Sequence, residues 1–358
     1  MSLLEPLRLA HGPELKNRLL LAPMTNNQSN PDGTASLDDL SWIRLVAAGG
    51  YSMIMTAGAN VQRNGKSFPG QPGIYDDRHL DGLTEIASII RGAGSISSVQ
   101  LHHGGVRSLG GEYGQPYAMS PATGARQMST AEVEQLRDDF IAAAVRAKRA
   151  GFDGAEIHGA FGWIISMSLS PIANRRTDKY GGDLEGRSRL LFEILHGIRQ
   201  ETGPDFQIGL RLSTERYGTS LRDLRDLAEE AMRREAIDYL DLAPWDVNAI
   251  AVEPEFENRP VLSIFTELDR KQTRIGASGK VMTGAQASSV LKAGCDFVML
   301  GRAALLEPDA PRLFAKDPHH QGPETPVLYQ YLREQGLSNA FVDYLLMDHP
   351  ALVARGWL

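Results

Sequence analysis

Short apolar runs rich in β-branched residues alternate along the chain with longer segments in which apolar residues recur every third or fourth position. The short runs predict strands and the longer spacing predicts helices. Strands that alternate with helices are typical of a parallel sheet, because a parallel connection has to cross the sheet. The predicted strands are residues 18–24, 52–57, 96–101, 154–158, 207–212, 239–242, 274–277 and 297–300.

About eight strand–helix units predict an α/β fold of the (β/α)8 TIM-barrel type. The clearest helix is expected over residues 132–149, behind a cap at Ser129 or Thr130. A doubly wound sheet is the competing architecture. No predicted strand is followed by the Gly-x-Gly-x-x-Gly turn of that fold, and the last strand ends in Gly301-Arg302. The barrel is therefore favoured.

No Gly/Ser-rich or Pro-rich linker divides the chain, so we expect residues 1–358 to form a single domain. Residues 1–17 are expected to form a hairpin or coil that caps the bottom of the barrel, and residues 18–316 to form the barrel itself. For residues 317–358 we expect a helical tail that packs either on the barrel or on a partner subunit of a homo-oligomer.

Composition narrows the class of protein. A chain of 358 residues with 42% hydrophobic content can bury a large core. A net charge of −7 without runs of like charge gives no reason to expect nucleic acid as a partner. The absence of a long apolar run argues against a membrane span, and the one cysteine, Cys295, fits a reducing cytoplasm and no cysteine-rich metal site. We expect a cytoplasmic protein without a metal.

Polar residues at the ends of the predicted strands form the candidate site, because the active sites of such barrels lie at the carboxyl ends of the strands. Thr25 and Gln100 could each be ordinary turn or core polar residues, or ligand contacts. Arg211 is predicted at an inward position of an apolar strand, where either a bound anion or a buried carboxylate must satisfy its charge.

The last two strands suggest a phosphate-binding corner. Ser278-Gly279 follows the seventh predicted strand and Gly301-Arg302 follows the eighth, and barrels often bind phosphate between these two loops. Glycine permits close approach of the backbone, and arginine can donate two hydrogen bonds to a phosphate.

His158 ends the fourth predicted strand, in the run 156–163, which reads Glu-Ile-His-Gly-Ala-Phe-Gly-Trp. A lone histidine on an apolar strand is more often a hydrogen-bonded core residue than a catalytic group. Glu156 is expected on the opposite face of the strand from His158. We therefore expect no metal ligands in this run.

The run 156–163, followed at 170–182 by Ser-Pro-Ile-Ala-Asn-Arg-Arg-Thr-Asp-Lys-Tyr-Gly-Gly, resembles the stretch after the fourth barrel strand of the old yellow enzyme family of FMN-dependent oxidoreductases. Other short matches follow the same order along the chain. The resemblance implies that NADH or NADPH reduces FMN and that hydride then passes from flavin N5 to the β-carbon of an activated alkene. It implies FMN contacts from Pro23, Thr25, Gly58, Gln100, Arg211, Gly279, Gly301 and Arg302, with Ser278 in the same corner.

The chain departs from the family at two positions near His158, which the resemblance implies as the substrate-binding histidine. The family usually has a second His or Asn where this chain has Phe161, and a proton-donating Tyr where it has Trp163. Phe161 removes a hydrogen-bond donor, and the indole N–H of Trp163 is too weak an acid to protonate carbon. With Phe68 and Trp245 these side chains predict an aromatic pocket for a bulky flat substrate.

The sequence leaves three activities open for this protein. The favoured one is reduction of an activated alkene such as an α,β-unsaturated carbonyl, with His158 and Trp163 at the catalytic position and another acid as proton donor. His103, Tyr113, Tyr117 and Tyr217 are the candidate acids. The second is a flavin reaction that needs no such proton: quinone or nitro reduction, or oxidation or isomerisation of a bulky aromatic compound. The third is FMN binding with little turnover.

Overall fold

Eight parallel strands close into a barrel in the computed structural model, which describes residues 1–355. The barrel is closed because the first strand pairs with both the second strand and the last, with Leu21 opposite Ile54 and Leu19 opposite Val298. The predicted (β/α)8 fold is therefore confirmed. The strands are β1 (Leu19–Leu21), β2 (Met53–Met55), β3 (Ile96–His102), β4 (Gly154–Gly159), β5 (Gln207–Leu212), β6 (Tyr239–Leu242), β7 (Arg274–Ala277) and β8 (Phe297–Leu300).

Helices follow the strands around the outside of the barrel. They are α1 (Leu37–Ala48), α2 (Leu80–Gly92), α3 (Thr130–Arg149), α4 (Leu184–Thr202), α5 (Leu221–Arg233), α6 (Val261–Thr266), α7 (Gly284–Lys292) and α8 (Arg302–Leu306). Additional helices span Ile164–Leu169, Ala310–Lys316, Tyr329–Glu334 and Asn339–Asp348. Short extra strands are Ala59–Asn60 beside β3, the pair Tyr117–Ala118 and Arg126–Gln127, and the pair Val327–Leu328 and Val353–Ala354.

Local chemistry sets where these elements begin and end. Ser129 caps α3: its hydroxyl accepts the Glu132 N–H, and the Glu132 carboxylate accepts the Ser129 N–H. Such a cap contributes about 1 kcal/mol. β1 is shorter than the predicted run 18–24 because Pro23 has no N–H to continue the ladder. β5 to β8 have the predicted bounds.

The N-terminal segment packs against the end of the barrel opposite the carboxyl ends of the strands. Leu7 and Leu15 exchange two backbone hydrogen bonds of 2.9 Å and form an antiparallel bridge. Both side chains are buried in a cluster with Tyr239 and Phe297, which point into the barrel. Residues from this segment therefore fill the lower barrel with apolar atoms.

The C-terminal segment packs on the barrel. Phe341 is fully buried and meets Trp42 of α1 edge-to-face, with ring centroids 5.3 Å apart. The hydroxyl of Ser338, the N-cap of helix 339–348, donates to Gln28 Oε1 over 2.5 Å. Of the two surfaces expected for the tail, the barrel is the one seen here. No helix within residues 1–355 is long and apolar enough to cross a membrane.

We predict that Phe341→Ala destabilises the protein by about 3–5 kcal/mol, because it leaves a cavity against Trp42. Chemical denaturation of the FMN-loaded protein measures this change. Met347→Ala on the same helix is the control, since Met347 is 70% exposed and its truncation should cost less than about 0.5 kcal/mol. Equal losses in the two variants would show that the tail is not anchored through Phe341.

Candidate active site

A cavity of about 500 Å³ lies at the carboxyl ends of the barrel strands. Its volume is within the range of small-molecule and cofactor sites. Every residue predicted as a site residue lines it, so the structure brings together side chains that are far apart in the sequence. These are Pro23, Thr25, Gly58, Phe68, Gln100, His158, Phe161, Trp163, Arg211, Trp245, Ser278, Gly279, Gly301 and Arg302.

A buried ion pair holds Arg211 at the base of the cavity. Arg211 Nη1 lies 2.6 Å from Asp241 Oδ2, and Nη2 donates to Ser278 Oγ over 3.0 Å. Of the two partners expected for this arginine, the structure thus shows the buried carboxylate. Burial raises the pKa of Asp241, and the Arg211 charge opposes that rise. These two contacts fix the position of the positively charged Arg211 guanidinium at the cavity wall.

Gln100 is oriented by a second buried carboxyl group. Its side-chain nitrogen lies 2.7 Å from Glu156 Oε1. The expectation that Glu156 points away from His158 was wrong: residues two apart in a strand share a face, so both point into the barrel. Burial, together with the Asp241 charge, raises the pKa of Glu156 to about 8. Glu156 therefore orients the side chain of Gln100 from beneath the cavity.

His158 is neutral at physiological pH. Burial is the main reason that its pKa is held well below the usual range, and the neighbouring His102 and Arg211 lower it further. Its Nδ1 accepts the Ala160 N–H over 3.4 Å, which leaves the ring proton on Nε2. The side chain can therefore donate one hydrogen bond to a ligand in the cavity.

Phe161 adopts a backbone conformation that is costly for an aromatic residue. Its φ is +60°, in the left-handed region that Asn and His occupy far more readily. Its N–H donates to Ser213 Oγ over 2.9 Å, and its carbonyl accepts from Arg107. Its ring packs edge-on against His158, with centroids 5.7 Å apart. The site thus keeps the backbone geometry that suits a polar residue while carrying a phenyl ring.

Trp163 forms one wall of the cavity. The Arg107 guanidinium stacks over the indole at 3.4 Å from its centroid, and His102 packs edge-on at 4.6 Å. Trp245 lies across from Phe161, with centroids 6.3 Å apart. The mouth of the cavity therefore combines flat aromatic surfaces with the positive charge of Arg107.

Two glycines and the C-terminal segment shape the end of the cavity that lies away from the aromatic mouth. Gly279 has φ of +146°, and a Cβ there would lie 2.5 Å from the Pro244 carbonyl oxygen. At Gly301 a Cβ would meet nothing closer than 3.7 Å, so the protein's own packing does not require glycine at that position. The open space fits close approach by a ligand. Tyr344 and His349 cover this end beside Arg302.

Several cavity residues were not predicted from the sequence. His102 could have been found from its spacing, because it lies two positions after Gln100 and shares its face of β3. Arg107 and Lys280 come from loop regions, and Tyr344 and His349 come from the tail, which has no place in the strand–helix pattern of the barrel.

Of the four candidate acids, Tyr217 lies in the cavity and the other three do not. His103 turns to the other side of β3, where its Nε2 is 3.1 Å from Gln62 Oε1. Tyr113 and Tyr117 pack against cations elsewhere, with Lys66 Nζ 5.0 Å from the Tyr113 ring centroid. Tyr217 has φ of +59° and its ring centroid lies 6.1 Å from that of Phe161.

Metal-type clusters and the one cysteine were the other candidate reactive groups. Residues 1–355 contain no cluster of three His, Cys, Asp or Glu side chains able to hold a metal ion. Cys295 lies just before β8, and burial raises the pKa of its thiol to about 12. A thiol of that pKa is not a nucleophile at neutral pH.

Comparisons with known proteins agree with this fold. Residues 2–320 match the family model of the NADH:flavin oxidoreductase / NADH oxidase family. A probable NADH-dependent flavin oxidoreductase of Bacillus subtilis (strain 168) is 33% identical over 86% of this chain and 86% of its own length. An NADPH dehydrogenase of Geobacillus sp. (strain WCH70) is 33% identical over 86% of this chain and 92% of its own. The structure of morphinone reductase in complex with tetrahydroNAD superposes with a TM-score of 0.79 and 25% identity, covering 96% of this chain and 97% of that one.

This chain belongs to the NADH:flavin oxidoreductase / NADH oxidase family, the old yellow enzyme family. It is an oxidoreductase whose cofactor is FMN and whose reductant is NADH or NADPH. The cavity fits that cofactor: Arg211 Nε is buried without a partner in the described chain, and the space at Gly301 is open. The predicted family, cofactor and enzyme class are thereby confirmed.

We predict that His103 makes stability depend on pH. Burial lowers its pKa to about 3, so below the ordinary value of 6.5 the unfolded chain takes up a proton that the folded chain refuses. Stability is then fully present above about pH 6.5 and falls as pH drops, by up to about 1.4 kcal/mol per pH unit. Urea unfolding at pH 7 and pH 5 should show a steeper fall in wild type than in His103→Gln. His196→Gln, at an exposed position, should keep the wild-type slope.

Proposed function

We propose that this enzyme reduces an activated alkene conjugated to a carbonyl group on a bulky flat substrate. The observation that carries the proposal is His158, a neutral Nε2–H donor at the end of β4, facing a cavity that also holds Arg211 and Gln100. Reduced FMN supplies the hydride. The overall reaction takes up one proton and oxidises one NADH or NADPH for each alkene reduced.

The residues proposed to hold FMN lie on two sides of the cavity. Arg211 and Gln100 are suited to the pyrimidine edge of the ring, because a fixed positive charge stabilises an anionic reduced flavin and an amide can accept from a ring N–H. Pro23, Thr25 and Gly58 are proposed beside the ring. For the phosphate we propose the corner of Ser278, Gly279, Gly301 and Arg302, where glycine allows close approach and arginine supplies charge.

The proposed substrate site is the aromatic mouth of the cavity. Phe161, Trp163 and Trp245 offer flat apolar surfaces, and Phe68 lines the same space. Such surfaces favour an extended conjugated compound over a small alkene. His158 is proposed to donate to its carbonyl oxygen, where negative charge develops as hydride arrives.

Tyr217 is proposed as the proton donor. A phenol is a far stronger acid than the indole of Trp163, and Tyr217 lines the cavity. Its proton would pass to the α-carbon of the alkene, and solvent would restore it.

A second candidate function is reduction of quinones. It is favoured by the indole at Trp163, since a quinone takes its protons on oxygen and needs no positioned carbon acid. Trp163 and Arg107 would then present a flat, positively charged surface to the quinone ring.

We predict that Tyr217→Phe slows reoxidation of the reduced enzyme by trans-4-phenyl-3-buten-2-one, a flat conjugated enone, by about 10²–10⁴-fold, the usual contribution of a placed general acid. Reoxidation by menadione and reduction by NADH or NADPH should keep their wild-type rates. Stopped-flow measurement of both half-reactions tests this.

The matched control is Tyr113→Phe, which removes the same hydroxyl outside the cavity and should leave every rate unchanged. If Tyr217→Phe slows the enone and the quinone equally, Tyr217 shapes the pocket and does not deliver the proton. If wild type reoxidises with menadione and shows no reaction with the enone, quinone reduction replaces alkene reduction as the function.

A further inference from the structure

The site lacks the second polar side chain that its backbone geometry suits. Phe161 occupies a left-handed position beside His158 and has no group that can donate to a substrate oxygen. A single neutral donor stabilises a developing negative charge less than two donors do. A second donor to the same oxygen would have to come from another side chain around His158.

His102 lies beside His158 on the neighbouring strand. Both rings line the cavity, and their centroids are 5.5 Å apart. Two nitrogens that each donate to one oxygen over about 2.9 Å lie at most about 6 Å from each other. Rings whose centroids are 5.5 Å apart can bring their Nε2 atoms within this limit, so the spacing allows the two histidines to share a substrate oxygen.

The contacts of Gln71 determine which nitrogen of His102 carries the proton. Gln71 Oε1 accepts the Ser67 N–H over 2.7 Å, and its Nε2 donates to the Gly58 carbonyl over 2.8 Å. These two backbone partners fix the amide orientation, because an N–H can only donate and a carbonyl can only accept. The same Gln71 Nε2 lies 3.0 Å from His102 Nδ1, so Nδ1 must accept.

His102 consequently presents Nε2–H as a donor. That nitrogen is buried and has no hydrogen-bond partner within residues 1–355. A buried donor without a partner costs about 1–3 kcal/mol, which a ligand oxygen would recover. Burial, with the neighbouring Arg107 charge, holds the pKa of His102 well below its usual range, so the ring stays neutral and keeps this single proton.

We propose that His102 is a catalytic residue that donates from Nε2 to the substrate oxygen together with His158, supplying from β3 the hydrogen bond that Phe161 cannot supply. This role rests on the proposed function, in which His158 binds the same oxygen. Gln71 is a positioning residue, because it acts only through the His102 tautomer.

The first test is binding of 4-hydroxybenzaldehyde, whose phenolate oxygen is an anionic stand-in for the developing charge, to the FMN-loaded enzyme. Calorimetric titration should give a Kd roughly 10- to 100-fold weaker in His102→Leu, the usual effect of losing a hydrogen bond to a charged group. His103→Leu is the matched control. It removes an equally buried neighbouring histidine outside the cavity and should keep the wild-type Kd.

The second test restores the donor at the other position. Phe161→Asn in the His102→Leu background should recover most of the lost affinity, because asparagine tolerates φ of +60° and brings an amide donor beside His158. Recovery supports the shared role. A Kd in His102→Leu within about twofold of wild type, the size expected from a few tenths of a kcal/mol, overturns it.

The third test needs no variant to fold. In ¹⁵N spectra of histidine-labelled wild-type holoenzyme, the His102 ring should carry its proton on Nε2, and saturating 4-hydroxybenzaldehyde should shift that signal. A proton on Nδ1, or an Nε2 signal that the ligand does not move, refutes the proposal. If His158→Leu weakens binding and His102→Leu does not, the role of His102 is refuted and the proposed function stands. If binding is unchanged in both variants, the proposed function is refuted as well.

Discussion

The buried ion pair between Arg211 and Asp241 is the interaction on which the site depends. Taking both charges out of water is costly, and the 2.6 Å contact with Asp241 and the bond to the Ser278 hydroxyl offset that cost at the two terminal nitrogens of the guanidinium. Removal of one partner from such a pair typically costs 3–5 kcal/mol, since it strands the other charge. The barrel therefore cannot easily lose the arginine that lines the cavity.

The Arg211–Asp241 pair also shifts the pKa values of other polar groups inside the barrel. Burial, together with the Asp241 charge, raises the pKa of Glu156, and Glu156 accepts a hydrogen bond from the amide of Gln100. Arg211 also helps to keep His158 neutral. The polar residues beneath the cavity thus form two hydrogen-bonded pairs, Arg211 with Asp241 and Gln100 with Glu156, which influence each other and His158 through their charges.

Sequence patterns predicted the parts of this structure that follow from local rules. Alternation of strands and helices gave the barrel, and the ends of the strands gave the residues that line the cavity. What periodicity could not give was contact between elements: Tyr344 reaches the cavity from a tail with no place in the barrel pattern. The direction of Glu156 was misjudged although the two-residue repeat of a strand determines it. The division of the chain at residues 17 and 317 stays a prediction.

The departures at Phe161 and Trp163 have different consequences. A hydrogen-bond donor can be replaced from a neighbouring strand, since donation only requires an N–H within reach of the same oxygen, and His102 meets that condition. A proton donor is harder to replace, because neutral imidazole, like indole, is too weak an acid to protonate carbon at neutral pH. The same burial that keeps His102 and His158 neutral donors excludes them as acids. Acidity must then come from a less buried group, and Tyr217 at the rim of the cavity satisfies that constraint.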